Sequence, residues 1–214
     1  MKNIIGLIVT ILYILITMTI AKIFEKKGKE ISRKFIHIML GNWWILAMIF
    51  FDNVIYASIE PILFIILNYI SYKKDIIKVM ERDDKEEKTL GTVYYAISLF
   101  IIVIITYGIL NNPKLGIVPI FIMAYGDGLA AVMGKLIKSK EYKIGNSKKT
   151  IAGSLTMFIV STIIIAVYLI CTNAQLWIIK SIIMGIILTV IEAISIKGTD
   201  NLTIPICTLL MLIW

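Results

Sequence analysis

Cysteine is scarce in this chain. Cys171 and Cys207 are the two present, each inside an apolar run and without metal-ligand spacing. They read as small apolar side chains and report no redox compartment. No Gly-x-x-x-x-Gly-Lys-Ser/Thr loop and no protein-kinase signature occurs, which excludes the ATP-type folds built on those motifs. There is no Pro/Ser-rich linker, no soluble domain and no internal repeat, so residues 1–214 read as a single domain. The first apolar run lacks an Ala-x-Ala-like end, and its cations (Lys22, Lys26, Lys27, Lys29, Arg33, Lys34) follow the apolar core instead of preceding it. That polarity is the reverse of a secretory signal, so the run is kept as a true span.

What the chain has in abundance is apolar length. Hydrophobic residues make up 59% and the mean hydropathy is +0.90, against the roughly 45–50% apolar share of soluble domains. This is the composition of an integral membrane protein. Runs of the length needed to cross ~30 Å of hydrocarbon lie near 4–21, 35–51, 53–71, 91–110, 115–134, 151–171 and 176–196, and a shorter one at 201–214. The expected fold class is therefore all-α and polytopic, with seven full transmembrane helices plus one short C-terminal helix. Glu60-Pro61 in the third run reads as a kinked, helix-paired polar spot. The mixed-charge stretch Lys73–Lys88 reads as a solvated helical extension.

Cations orient these spans. Of the 22 Lys and Arg, 19 fall in the connections after spans one, three, five and seven, and three (Lys2, Lys114, Lys180) fall on the other side. The positive-inside bias places the richer connections in the cytoplasm and the N-terminus outside, in a cell membrane. The same bias accounts for the net charge of +8 better than a nucleic-acid partner does. The opposite connections (Asp52-Asn53, Asn111–Lys114, Thr172–Gln175) are short and rich in turn formers, leaving no room for an outer domain.

Several polar residues sit where lipid penalises them. Asp127 lies inside the fifth apolar run, where a carboxylate costs ~2.5–3.5 kcal/mol on insertion scales and must be compensated. Gly126 and Gly128 strip both flanks, which lets another backbone, a metal or a phosphate approach. Gly134 allows close helix packing or the same access. Lys148 and Lys149 precede span six, whose helix N-terminus reinforces an anion site. Thr150 is placed to cap that helix, and Gly153-Ser154 leave backbone room beside it. Arg33, His37 and Gly41 recur every four residues on one helical face. Arg33 suits bidentate phosphate recognition; Lys34 reads first as an interfacial, snorkelling cation. Glu192, Asp200 and Asn201 add oxygen donors near the end of span seven, as a magnesium–nucleotide site requires. With the orientation above, four sequence-distant groups reach one membrane face.

Those groups resemble a motif series. Ser32–Gly41 (SRKFIHIMLG), Tyr125–Gly134 (YGDGLAAVMG), Lys148–Ser154 (KKTIAGS) and Glu192–Pro205 resemble, in order, the motifs of the polyprenol kinase family, which includes dolichol kinase, phytol kinase and the CTP-dependent diacylglycerol kinase. The resemblance covers most of the chain from residue 32 onward. It implies transfer of the γ-phosphoryl group of CTP to a membrane lipid alcohol, with a divalent cation such as Mg2+. Carried over residue by residue, it implies metal ligation by Asp127 with Glu192 or Asp200. It also implies triphosphate binding by Arg33, Lys148 and Lys149, with Lys34, Gly126, Gly128, Gly134, Thr150, Gly153, Ser154 and Asn201 around the substrates. His37 or one of the carboxylates accepts the hydroxyl proton. The segment from Gly126 to Ser154 also resembles phosphatidate cytidylyltransferase, a related family that moves CMP; the Arg33–His37 motif and the Asp200–Pro205 ending favour the kinases. Ala152 departs from the pattern, standing where many members carry glutamate. An anion transporter is the rival from another class, and it requires polar groups continuing to the outer face. Neither the lipid alcohol nor the oligomeric state, a homodimer included, is read from the sequence.

Overall fold

The computed structural model describes residues 1–26, 28–74, 89–144 and 147–214. The mixed-charge stretch expected as a helical extension lies outside the described residues from position 75 to 88. Among the described residues the protein is helical apart from one two-stranded ribbon. Six segments are long and apolar enough to cross a membrane: Lys2–Glu25, Val54–Lys74, Gly91–Ile109, Pro113–Leu136, Ile151–Cys171 and Trp177–Ile194. Helix is the form expected there, because hydrocarbon offers the backbone no other hydrogen-bond partner.

The stretch expected as the second span is divided. Helix α2 (Lys29–Gly41) and helix α3 (Trp43–Phe50) follow one another through Asn42, whose backbone stays right-handed helical and whose N–H reaches Met39 and Leu40 carbonyls. That tightened turn separates them, so the described residues hold six long apolar helices where seven were expected. The pair nevertheless runs antiparallel along the whole of α1 (Lys2–Glu25). At one end Ser32 Oγ donates to Ala21 O at 2.6 Å, and at the other Asn3 Nδ2 donates to Asp52 Oδ1 at 2.8 Å.

Helix α1 shows how the bundle packs. Its buried residues are Gly6, Thr10, Ile14, Thr17 and Ala21, one narrow face of mostly small side chains, while Ile4, Ile8, Ile11, Leu15 and others stay exposed. Small residues let membrane helices approach closely, and the large apolar ones face lipid. The helix α4 (Val54–Lys74) packs on α5 (Gly91–Val103), which continues as a π-helical turn over Ile104–Ile109.

The fourth long segment, Pro113–Leu136, changes pitch repeatedly. It opens with a 3₁₀ turn Pro113–Gly116, continues as α6 (Ile117–Phe121), widens into a π-helical turn Ile122–Asp127, and ends as α7 (Gly128–Leu136). π turns insert a residue into a helix and are common at functional positions; this one ends on Asp127. The lysine-rich connection that follows was expected as a loop. It forms strand β1 (Glu141–Ile144) paired antiparallel with β2 (Ser147–Thr150). Helices α8 (Ile151–Cys171), α9 (Trp177–Ile194) and α10 (Asp200–Ile213) complete the chain. Two apolar clusters support this frame, one around Trp43, Trp44, Ile102 and Met123 and the other around Met157, Ile165, Leu188 and Ile204.

Candidate active site

Asp127 is compensated by two groups from α2. Lys34 Nζ donates to Asp127 Oδ2 at 2.6 Å, and His37 Nε2 lies 3.2 Å from the same oxygen. Lys34 is 4% exposed and Asp127 5%, so this is a buried ion pair rather than a snorkelling cation above a carboxylate. The sequence reading of Lys34 as interfacial is therefore corrected. On α2, Ser32 turns toward α1, Lys34 toward the π turn, and Arg33 lies between them. His37 Nε2 is also 2.9 Å from Met123 O. Facing two oxygen acceptors, Nε2 carries the ring proton, which leaves Nδ1 as the lone-pair nitrogen of a neutral ring. Tyr95 packs edge-on to the imidazole with ring centroids 4.9 Å apart, and its hydroxyl donates to His37 O at 3.1 Å.

Arg33 is engaged elsewhere. Its Nε and Nη2 donate to the two carboxylate oxygens of Glu30 at 2.9 and 2.6 Å, a bidentate pair one helical turn apart. Burial disfavours the Glu30 carboxylate, yet the Arg33 hydrogen bonds outweigh it and hold the group below the ordinary glutamate range.

The ribbon sorts the two lysines expected to act together. Side chains alternate along a strand. Lys149, opposite Tyr142, faces inward and pairs with Glu192 Oε1 on α9. Lys148, opposite Lys143, is exposed on the other face. Burial works against the charge of Lys149, but Glu192 beside it, with Asp200 and Asp127, raises its pKa above the ordinary lysine value. Glu192 thus contacts the ammonium group directly, and Asp200 and Asp127 act on it through space. Tyr142 OH bonds Ser154 Oγ, which ties the ribbon to the first turn of α8. Thr150 caps α8, accepting from Gly153 N at 3.1 Å.

At the start of α10, Asp200 Oδ1 accepts from Asn201 N at 3.0 Å and Asn201 Nδ2 donates to Gly91 O at 2.9 Å. Ser98 Oγ donates to Asn201 O at 2.5 Å. Asp200 and Asn201 are both buried. Among the described residues, the buried acceptors Glu192 Oε2 and Asn201 Oδ1 have no hydrogen-bond partner.

The four site glycines lie against neighbouring atoms rather than beside open space. A Cβ at Gly128 would stand 2.5 Å from Ile38 Cγ1, at Gly126 2.9 Å from Met157 Sδ, at Gly134 2.6 Å from Thr150 Oγ1, and at Gly153 3.0 Å from Ala130 O. Their visible work is to let the Asp127 segment, α2 and α8 close on one another.

The donor set of Asp127, Glu192, Asp200 and Asn201 is all oxygen, as hard divalent cations prefer. Among the described residues no three His, Cys, Asp or Glu side chains converge into a preformed cage, so the three acids do not act as a ready ligand set. Magnesium in nucleotide sites is commonly held by one or two carboxylates, with phosphates and water completing its shell. The unpartnered Glu192 Oε2 and Asn201 Oδ1 fit that mode. Glu30 and Tyr95 escaped the sequence reading. The Glu30–Arg33 spacing was the available signal for the first; nothing local marks the second.

The chain is 28% identical over 203 residues to a probable chloroplastic phytol kinase of Triticum aestivum, covering 86% of this chain and 66% of that protein. It is 28% identical over 185 residues to the phytol kinase of Synechocystis sp., covering 83% of this chain and 76% of that one. Against chloroplastic phytol kinase 1 of Arabidopsis thaliana the identity is 25% over 202 residues, covering 85% and 65%. The chain thus spans about two thirds of the length of these plant relatives. No family model matches it, and no solved structure does. What the chain is similar to, over more than four fifths of its length, is thus a set of proteins named as phytol kinases.

Proposed function

We propose that this chain is a kinase of membrane lipid alcohols that uses CTP as phosphoryl donor. The observation that carries the reading is the meeting of Lys34, Asp127, His37, Lys149 and Glu192 at one end of an otherwise apolar bundle. Phosphoryl transfer needs charge neutralisation and positioning more than covalent help, and buried cations interleaved with carboxylates supply both. Similarity to proteins named as phytol kinases supports the acceptor class: a long apolar chain bearing one hydroxyl. Phytol-like alcohols, polyprenols and diacylglycerol all belong to that class.

In this reading α2 and α3 together make a seventh crossing, supported by their run along the whole of α1. The N-terminus lies outside and the site faces the cytoplasm, as the division of 19 against three cations favours. Lys149, with Lys34 and Arg33, holds the triphosphate oxygens. Asp127, with Glu192 or Asp200, would hold a magnesium ion, which when bound would neutralise phosphate charge and orient the γ group. The lipid hydroxyl, presented from the bilayer, attacks the γ-phosphorus in line as the bond to the β,γ-bridging oxygen breaks and CDP leaves. Its proton goes to a base among His37 and the carboxylates. Glu192 Oε2 has lone pairs free of hydrogen bonds, and the base nitrogen of His37 is Nδ1.

The test uses CTP labelled separately at its α and γ phosphates, purified protein in lipid nanodiscs and a panel of lipid alcohols. Lipid-borne label from γ and none from α is expected. Label from the α position would instead mean cytidylyl transfer, and no label from either would end the kinase reading.

A further inference from the structure

Each buried or half-buried cation assigned to the phosphates already has an acid of its own. Arg33 is bound by Glu30, Lys34 by Asp127, and Lys149 by Glu192. The acids of the last two pairs are the same carboxylates assigned to the metal. The site as it stands is close to self-neutral, and its strongest donors and acceptors are spent on each other. Either partner taken singly would find Asp127 and the two lysines already answered, although Glu192 Oε2 and Asn201 Oδ1 stay open. A divalent cation arriving alone meets an Asp127 whose Oδ2 is held by Lys34 and His37. A polyphosphate arriving alone meets lysines whose charge is already answered. Arriving together, the two can trade partners with the protein: carboxylates turn to the cation and ammonium groups to the phosphates, with every buried charge still paired.

We propose that Lys34 is an internal counter-ion that masks Asp127, and that the metal and the nucleotide bind by a concerted exchange of ion-pair partners, each weakly without the other. Lys34 then guards the carboxylate until the nucleotide draws it away to the phosphates. Buried charges make this exchange selective, because a lone partner would strand an unpaired charge in a low-dielectric site. The proposal rests on the reading of this end of the bundle as a metal–nucleotide site.

The test measures Mn2+ binding without nucleotide, by electron paramagnetic resonance, on the full chain in nanodiscs. Wild-type protein is expected to bind Mn2+ weakly and Lys34→Met at least about tenfold more tightly. Lys34→Arg, which keeps the pair, should stay at the wild-type level. Adding Asp127→Asn to Lys34→Met should remove the gain. Equal Mn2+ affinity in wild type and Lys34→Met overturns the proposal, as does a gain that survives Asp127→Asn. Lys149→Met, reversed by Glu192→Gln, repeats the measurement at the second pair and keeps it decisive if the Lys34 variant does not fold. On wild-type protein, CTP should bind at least about tenfold more tightly with Mg2+ than with chelator; equal affinity in both overturns the exchange. If Lys34→Met gains Mn2+ while CTP binds under neither condition, Asp127 masking stands and the nucleotide reading falls.

Discussion

Two of the buried carboxylates, Asp127 and Glu60, mark opposite halves of this molecule. Asp127 sits at the site end, compensated by Lys34 and His37. Glu60 sits on α4 in the half of the bundle that holds the start of α1, and its partners are the neutral donors Thr10 and Trp43. Glu60 is 1% exposed, even less than Asp127, so depth does not separate them. The chemistry of the partners does. A carboxylate held by a lysine ammonium and an imidazole N–H has a positive charge to answer it. A carboxyl ringed by one hydroxyl and one indole N–H has no charge to answer it. Thr10 Oγ lies 2.7 Å from Gly6 O as well as 2.6 Å from Glu60 Oε1, and it has a single proton to give. A neutral Glu60 that donates to Thr10 satisfies all of these atoms. The comparison teaches that a buried acid marks a site through what surrounds it, not through its burial.

The sharpest way to break that contrast is Asp127→Asn, which should lower phosphoryl transfer by about 10³-fold or more. On its own this variant also leaves Lys34 buried beside a neutral amide, and breaking a buried pair costs about 3–5 kcal/mol. Combining it with Lys34→Met removes both charges, so thermal stability should return toward wild type while transfer stays lost. Activity recovering with stability would make Asp127 structural, as Glu60 is. Next in size is Lys149→Met, expected to cost about 10²-fold with a raised KM for CTP. Its neighbour Lys148, on the opposite face of the ribbon, should tolerate the same change within about threefold. Equal losses at both positions would sink the inward–outward division of the ribbon.

Much of this was legible in the chain. Long apolar runs marked nearly every long apolar helix, and an aspartate flanked by glycines pointed to the candidate site, because lipid makes any uncompensated charge conspicuous. Thr150 was readable as a cap from its place before an apolar run. What was hidden depends on facing. Arg33 and Lys34 are adjacent, so the sequence cannot say which turns inward. Packing of Ser32 on Ala21 O decides it, and Glu30 removes Arg33 by a local pair. The ribbon was missed because its strands are four residues each, although Gly145-Asn146 between them is a hairpin-type dipeptide. The division at Asn42 has no proline or glycine pair to signal it.

A smaller effect probes how the site end is held together. At Gly134 a Cβ would lie 2.6 Å from Thr150 Oγ1 and 3.5 Å from Gly153 Cα. Gly134→Ala therefore pushes on the cap of α8, one residue from Lys149. Loss of such a cap is worth about 0.5–2 kcal/mol, and transfer should fall about tenfold with the protein still inserted. Unchanged activity and melting temperature would show that α7 and α8 have slack here.

The smallest change should come from Glu60→Gln. Glutamine copies a neutral carboxyl: its amide oxygen accepts from Trp43 Nε1, and its amide N–H donates to Thr10 Oγ, whose own proton stays on Gly6 O. The second amide N–H has no acceptor among the contacts of Glu60, which is the one cost, and no volume is lost. Transfer should remain within about threefold, and the melting temperature should fall by no more than about 4 °C, the shift that roughly 1 kcal/mol produces in a chain of this size. Glu60→Leu is the contrasting variant. It leaves the buried indole N–H without an acceptor, at a cost of about 1–3 kcal/mol, and should melt several degrees lower with little change in KM for CTP. A large loss of transfer in Glu60→Gln at unchanged stability would mean that Glu60 needs its charge, and that the two carboxylates are more alike than their partners say.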